Sequence, residues 1–378
     1  MGESFVARAL PAHGGQLNAI SEAFSVPIDR LLDFSASIFP DGPSPRVIEA
    51  VSDALRSPRQ LRQYPDLKSS DLRANLARYT AIPADNILVA NGVVPLMSAT
   101  LRAIRTRKCL LPVPAFGEYR RILEREKIEI RTYPLVPSAN FRPDLHQLIG
   151  SCVEHGCDTL ILNNPHNPSG VAVDASEIRW MITHADRHGI RVLLDEAFID
   201  FVPEESVSAD VPQSGNLIVF RSVSKFFAMA GLRVAYVIAP QHRVPAIASL
   251  LDPWSVSTLA SQAAGAAVKD LRYISNTIRR NSEEREQLTR ALTGIGLTVF
   301  PACANFLMLR FSIEHASENA WEQLILDHGI VLRNCETFEG LDGRYMRAAV
   351  RGRDDNQRLV HALASVLNRS VPNLRINS

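Results

Sequence analysis

The sequence predicts an α/β protein: a large domain around a mostly parallel seven-stranded sheet, and a smaller α/β domain beside it. Three observations lead there. From about residue 44 short apolar runs alternate with helical stretches, the pattern of a sheet layered with crossover helices. Beyond residue 256 the texture changes to a long polar helix-like region. With 378 residues, 46% of them hydrophobic, the chain exceeds one small domain and can fill a large core. The expected division is 1–43, an amino-terminal arm with part of the small domain, then 44–256, the large domain, then 257–378, an interdomain helix and the rest of the small domain.

Ser44-Pro45 opens the first helix of the large domain with a capping hydroxyl and a proline in the first turn, and Val47, Ile48, Val51 and Leu55 share one face. Strands are expected at Asn86–Ala90, Lys108–Val113, Ile128–Tyr133, Thr159–Leu162, Ile190–Leu194, Leu217–Phe220 and Arg233–Ala239. Ser257 to Leu292 then reads as a long polar helix-like region, and a β/α mixture closes with a helix over Asp354–Leu367. No repeat, low-complexity tract or Gly/Ser linker interrupts the chain, so a continuous helix is expected to join the domains.

Lys+Arg 41 against Asp+Glu 40 leaves a formal charge of +1, with no basic run to track a phosphate backbone, so nucleic acid is not an expected partner. An acidic Glu3 and no sustained apolar run at the amino terminus argue against export. Val244 to Val268 leans apolar but is broken by Asp252 and Pro253, so no membrane partner is expected. Five cysteines, an odd and scattered set, suit reduced thiols in the cytoplasm. Cys152, His155 and Cys157 cluster without a further ligand to complete a tetrahedron, and no metal is expected.

In open α/β sheets ligands sit beyond the carboxyl ends of strands, and three strand ends here carry polar residues. Asn163-Asn164-Pro165-His166-Asn167-Pro168-Ser169-Gly170 follows one, Asp195-Glu196-Ala197-Phe198 the next, and Arg221-Ser222-Val223-Ser224-Lys225 the third, with Gly231-Leu232-Arg233 beyond. A buried carboxylate, a lysine in a hydroxyl-rich turn and an arginine eight residues later meet the needs of a phosphorylated pyridine aldehyde. The carboxylate keeps the ring nitrogen protonated, the lysine supplies an amine for a Schiff base, and hydroxyls with arginine receive the phosphate. Asp195 and Glu196, as strand neighbours, point to opposite faces and cannot share one proton.

Asn-Pro-x-Asn-Pro-x-Gly, Asp-Glu-Ala-Phe-Ile-Asp-Phe and Ser-x-x-Lys-x-x-x-x-x-Gly-Leu-Arg together resemble fold-type I pyridoxal-phosphate enzymes of the class I/II aminotransferase superfamily. The chain is most similar to the branch that decarboxylates O-phospho-L-threonine in cobalamin biosynthesis, itself similar to histidinol-phosphate aminotransferases. His13-Gly14-Gly15, Leu32-Asp33-Phe34-Ser35-Ala36, Tyr64-Pro65-Asp66, Pro114-Ala115-Phe116-Gly117-Glu118-Tyr119 and Arg344-Tyr345-Met346-Arg347 carry the likeness along nearly the whole chain. It implies pyridoxal 5'-phosphate on Lys225, Asp195 at the pyridinium nitrogen, Asn167 at the phenolic oxygen and Phe116 stacked on the ring. It implies a phosphate cup of Ser222, Ser224, Arg233 and the backbone from Gly92 and Val93 at a helix start. Tyr64 matches a tyrosine that reaches the neighbouring subunit's cofactor phosphate, which implies a homodimer with shared sites. Arg347 matches the clamp on the substrate's α-carboxylate, Arg333 a contact to the substrate's own phosphate, and His13 with Gly14 an arm that closes over it. The implied product is (R)-1-amino-2-propanol O-2-phosphate, and transamination of a phosphorylated amino compound such as histidinol phosphate is the alternative.

The chain departs from that pattern in two places: Ala36-Ser37-Ile38-Phe39-Pro40 stands where the family reads Ala-Asn-Ile-Asn-Pro, and Asn91-Gly92-Val93-Val94-Pro95 lacks a usual glutamate. Phe198 agrees with the decarboxylase branch, where many aminotransferases place tyrosine. Ser222-Val223-Ser224-Lys225 also fits the Ser-x-x-Lys of acylating penicillin-recognising enzymes, whose Lys-Thr-Gly strand is absent here. A binding module that keeps the pocket without turnover is disfavoured by the intact Lys225, Asp195 and Arg233. A dinucleotide enzyme is disfavoured by the lack of Gly-x-Gly-x-x-Gly after a strand.

Overall fold

A computed structural model describes residues 11–312 and 317–368. The reading of the extreme amino terminus lies outside the described residues. In chain order the strands are β1 (Leu32–Asp33), β2 (Ile87–Ala90), β3 (Lys108–Val113), β4 (Glu129–Pro134), β5 (Thr159–Asn163), β6 (Arg191–Asp195), β7 (Leu217–Ser222) and β8 (Ala235–Ile238). After these come β9 (Thr298–Val299), β10 (Phe306–Arg310), β11 (Ile330–Val331), β12 (Arg333–Asn334) and β13 (Tyr345–Ala349).

Strands β2 to β8 form one seven-stranded sheet in the order β2-β8-β7-β6-β5-β3-β4. All its pairs are parallel except those of β8, which runs antiparallel to both neighbours. The expected α/β class and mostly parallel sheet are therefore found, with no strand end displaced by more than two residues. Strands β5, β7 and β8 are buried at every position, as a sheet covered on both faces requires. One face, with Ile161, Leu193, Ile218, Phe220 and Val237, packs on the helices Val93–Ala103 and Gly117–Arg125 through Leu96, Met97, Tyr119 and Ile122.

The chain divides into two compact units. The larger is Ile38–Asn167 with Val171–Arg280; the smaller takes the chain up to Ser37, the short loop Pro168–Gly170, and the chain from Asn281 onward. The smaller unit holds the antiparallel sheet β12-β13-β10-β9 and the parallel pair β1-β11, packed around Leu307, Leu309, Met346, Leu324 and Leu363.

Two local expectations need correction. The stretch from Ser257 to Leu292 is two helices, Thr258–Ala267 and Leu271–Gly294, and the second crosses from the larger unit into the smaller. The helix Pro45–Arg56 does start on a proline, but the Ser44 hydroxyl makes no cap bond and is buried without a partner. Its buried face carries Val47 and Ala54, whereas Ile48 and Leu55 are 55% and 52% exposed. The burial stripe is thus rotated one residue from the apolar one, because the poly-alanine face of Thr258–Ala267 admits the small side of the helix.

Candidate active site

The larger unit gathers the strand-end residues. Parallel register sets Asn163 beside Asp195 at the carboxyl ends of β5 and β6, and β7 ends one strand over on Ser222. The Asn163 amide donates to the Asp195 carbonyl at 2.7 Å, and its own side-chain oxygen accepts the Asn167 N–H at 2.8 Å. The asparagine turn and the aspartate strand are thereby one framework.

The Asp195 side chain is 3% exposed and is held by two donors, the Tyr119 hydroxyl at 2.5 Å and the Ala197 N–H at 2.9 Å. Burial pushes its carboxyl pKa up, and the Tyr119 hydrogen bond, the charge of Lys225 and the Ala197 N–H oppose that rise. Such a carboxylate favours a cationic neighbour. Lys225 is half-buried, its ammonium 5.2 Å from the centre of the Phe198 ring, and its carbonyl accepts the Phe39 N–H at 3.0 Å. Phe39, where the family pattern has asparagine, is buried edge-on against Tyr273 and makes its polar contact through the backbone. Glu196 faces other partners, Ser206 and the Val207 N–H, so the adjacent carboxyls share no group.

Gly92 precedes the helix Val93–Ala103 with φ of +92°, where side chains are strained, and a Cβ there would come 3.0 Å from Arg233 Nη2. The first-turn N–H groups of Val93 and Val94 lack helical acceptors, and Pro95 has no N–H to satisfy. Ser222 and Ser224 are both 4% exposed, with the Ser224 N–H donating to Ser222 Oγ at 3.2 Å. A glycine cradle under a guanidinium and a buried carboxylate near the charge of a lysine fit pyridoxal phosphate, the first suited to a phosphate and the second to a protonated ring nitrogen.

Phe116 is half-buried and meets Tyr119 edge-on, with ring centres 5.5 Å apart. Tyr64 stands apart from these groups: it is 80% exposed and stacks on Trp254 at 4.7 Å.

The smaller unit holds the other expected residues. Arg333 and Arg347 face each other across the β12-β13 ladder, 6% and 7% exposed. Arg347 lies over the Phe306 ring and donates from Nη2 to the Ser35 carbonyl at 3.1 Å. Burial lowers its pKa to about 10, so it remains a cation at neutral pH. Arg333 donates to the carbonyls of Pro11 and Ala12, which flank His13 and Gly14 of the arm. Gly14 is obligatory there, since a Cβ would meet the Ser35 carbonyl oxygen at 2.1 Å.

Motif reading overlooked two side chains. Tyr119 lies in the first turn of the helix Gly117–Arg125, three residues after the Phe116 that precedes it, a position that was visible but carried no chemistry until Asp195 was placed opposite. His166 is buried, donates from Nε2 to the Pro114 carbonyl at 2.9 Å, and has its pKa pushed down to about 4 by burial. It is a neutral strut between the asparagine turn and the Phe116 loop. Among the described residues no group of three metal-ligating side chains occurs, and no helix is long and apolar enough to cross a membrane.

Residues 29–363 match the family model described as aminotransferase class I and II. The chain is 32% identical over 364 residues to a threonine-phosphate decarboxylase of Salmonella typhimurium, covering 96% of this chain and 98% of that protein. Among solved structures it resembles the L-threonine-O-3-phosphate decarboxylase of Porphyromonas gingivalis at TM-score 0.78 and 26% identity, covering 89% of this chain and 99% of that one. It also resembles the histidinol-phosphate aminotransferase of Clostridium acetobutylicum at TM-score 0.82 and 27% identity, again covering 89% and 99%.

Proposed function

Since the chain belongs to the class I and II aminotransferase family, we propose that it is a pyridoxal-phosphate-dependent decarboxylase. Its substrate is O-phospho-L-threonine and its products are CO2 and (R)-1-amino-2-propanol O-2-phosphate, a step of cobalamin biosynthesis. The observation that carries this reading is the match to the Salmonella decarboxylase over nearly the full length of both chains. Phe198 beside Lys225, at the position where aminotransferases often have tyrosine, supports it.

Bound pyridoxal phosphate supplies an electron sink for the carbanion left when a bond to the α-carbon breaks. Asp195, hydrogen-bonded by Tyr119 and Ala197, would hold the proton on the ring nitrogen. Lys225 would be the amine that anchors the cofactor and, once released by substrate, a proton donor at the α-carbon. Asn167 donates to the phenolic oxygen, and Phe116 covers a ring face. The Gly92 and Val93 backbone, with Ser222, Ser224 and Arg233, receives the cofactor phosphate. Arg347 grips the substrate carboxylate with a planar fork, and His13, Gly14 and Arg333 make up the phosphate end. The exposed Tyr64–Trp254 stack and the uncovered Ile48 and Leu55 suit a second copy of the chain, with Tyr64 reaching the partner's cofactor phosphate. The homodimer works in the cytoplasm.

Product analysis tests the reading. Purified enzyme is given O-phospho-L-threonine, O-phosphoserine or histidinol phosphate, each with and without a 2-oxo acid. CO2 release from O-phosphothreonine without an acceptor is expected; amine transfer that requires the acceptor, with no CO2, would establish the aminotransferase alternative instead.

A further inference from the structure

The large sheet carries a second cluster of buried charge on its other face. Leu193, Phe220 and Val237 pack on the helices Val93–Ala103 and Gly117–Arg125. Side chains alternate along a strand, so Asp195 and Ser222 share that face, while Arg221 and its ladder partner Tyr236 leave the sheet on the opposite one. Glu196 joins them there, since its N–H donates to the Phe220 carbonyl at 2.8 Å and continues the β6-β7 ladder by one residue.

Arg221 lies between two carboxylates. Its Nη2 donates to Asp200 Oδ1, an oxygen that also accepts the Tyr79 hydroxyl at 2.7 Å. Its Nε stands 3.9 Å from Glu196 Oε2, and the Glu196 carboxylate accepts from Ser206 Oγ at 2.7 Å and the Val207 N–H at 3.0 Å. The guanidinium carbon is 5.9 Å from the centre of the Tyr79 ring and 6.0 Å from that of Tyr236. Arg221, Glu196 and Asp200 are all buried and all belong to the larger unit. A ligand in front of the sheet therefore leaves their hydrogen bonds in place.

Stability alone gives such a cluster no purpose, because a buried ion pair exchanged whole for uncharged groups often costs nothing. What the pair does fix is direction. Glu196 is the residue after Asp195 and Asp200 lies four further on, in the turn Ile199–Phe201; Arg221 is the residue before Ser222 and four before Lys225. The guanidinium thus ties the end of β6 and the turn beyond it to the end of β7, and Tyr79 adds the helix Ser70–Thr80 to the same oxygen.

We propose that Arg221 is a positioning residue of the cofactor site: from behind the sheet it locks Asp200 and Glu196, and so holds the strand end bearing Asp195 in register with the turn bearing Ser222, Ser224 and Lys225. The inference rests on pyridoxal phosphate lying against those residues. Lysine at 221 keeps the charge but loses the planar fork between two carboxylates, and restores the register only in part.

Cofactor affinity of the full-length holoenzyme tests the lock. Each variant is dialysed to equilibrium against graded pyridoxal phosphate, bound cofactor is read by its absorbance, and urea midpoints report stability separately. Arg221→Met is expected to weaken cofactor binding about tenfold or more, and Arg221→Lys about threefold. Because Arg221→Met strands two buried carboxylates, the deciding variant combines it with Glu196→Gln and Asp200→Asn. That uncharged variant should keep a urea midpoint near the parent's and still bind cofactor about tenfold more weakly, which a purely stabilising cluster would not produce. Parental affinity in the uncharged variant overturns the lock. Asp195→Ala, measured alongside, separates the two failures: if it weakens binding while the uncharged variant does not, only the lock falls, and if it too binds as the parent does, the cofactor placement falls and takes the lock with it.

Discussion

Asp195 in the larger unit and the Arg333–Arg347 pair in the smaller one are about equally sealed from water, yet they are held by different kinds of atoms. Asp195 is gripped by a phenol and an N–H, both donors, on segments that the strand register brings to one sheet edge. The arginines are gripped largely by main-chain oxygens, from residues 312 to 322 positions away in sequence. A buried carboxylate can be served by nearby motif residues, because donors abound at strand ends and helix starts. A buried guanidinium needs many acceptors in one plane, and the backbone of a distant segment supplies them. The first region should therefore fail through loss of single side chains, and the second through loss of chain placement.

The comparison can be broken most severely at Lys225. Lys225→Ala should lower kcat by about 10³-fold or more, because no other group replaces the anchoring amine, and single-turnover assays with O-phosphothreonine would expose any residual activity. Acid should strike the same region next. The unfolded chain protonates a histidine near its ordinary value of 6.5, whereas folded His166 resists until about 4. Its contribution is complete above pH 6.5 and is lost as pH falls through that window, on the order of 3 kcal/mol in all. Urea midpoints at pH 7 and pH 4.5 should converge in His166→Gln, which keeps a neutral donor; an unchanged pH slope in that variant would remove His166 as the cause.

Arg347→Lys sharpens the contrast. It keeps the charge but loses the fork, and kcat/KM should drop about 10- to 100-fold, mainly in KM; a change confined to kcat would count against a carboxylate clamp. The smallest effect is expected at Tyr119→Phe, where Asp195 loses one donor worth about 1–2 kcal/mol. The carboxyl pKa then rises further, and cofactor affinity, measured by equilibrium titration, should weaken about tenfold. Unaltered affinity would show that Ala197 and Lys225 suffice.

Much of the larger unit was legible in the chain. The strand Lys108–Val113 agrees to the residue, and Asp195, Lys225 and Gly92 stand out because each follows an apolar run or opens a helix. Less legible was the helix Pro45–Arg56, whose apolar stripe and buried face differ by one residue, since a neighbour's small residues chose which side was covered. Tyr119 was hidden differently: its helix position was plain, but a phenol has no assignable role until something stands 2.5 Å from its oxygen.

By itself the sequence determined the order of strands and helices and the residue types at strand ends, because hydrophobic period, glycine conformation and proline are properties of a few neighbouring residues. Only the tertiary structure decided which donors grip Asp195, that His166 is a neutral strut, and that the Arg333 fork closes on Pro11 and Ala12. Those are matters of burial and of direction between atoms far apart in the chain. The acceptors for Arg333 in the arm are backbone carbonyls, which every residue carries, so no choice of amino acid could have announced them.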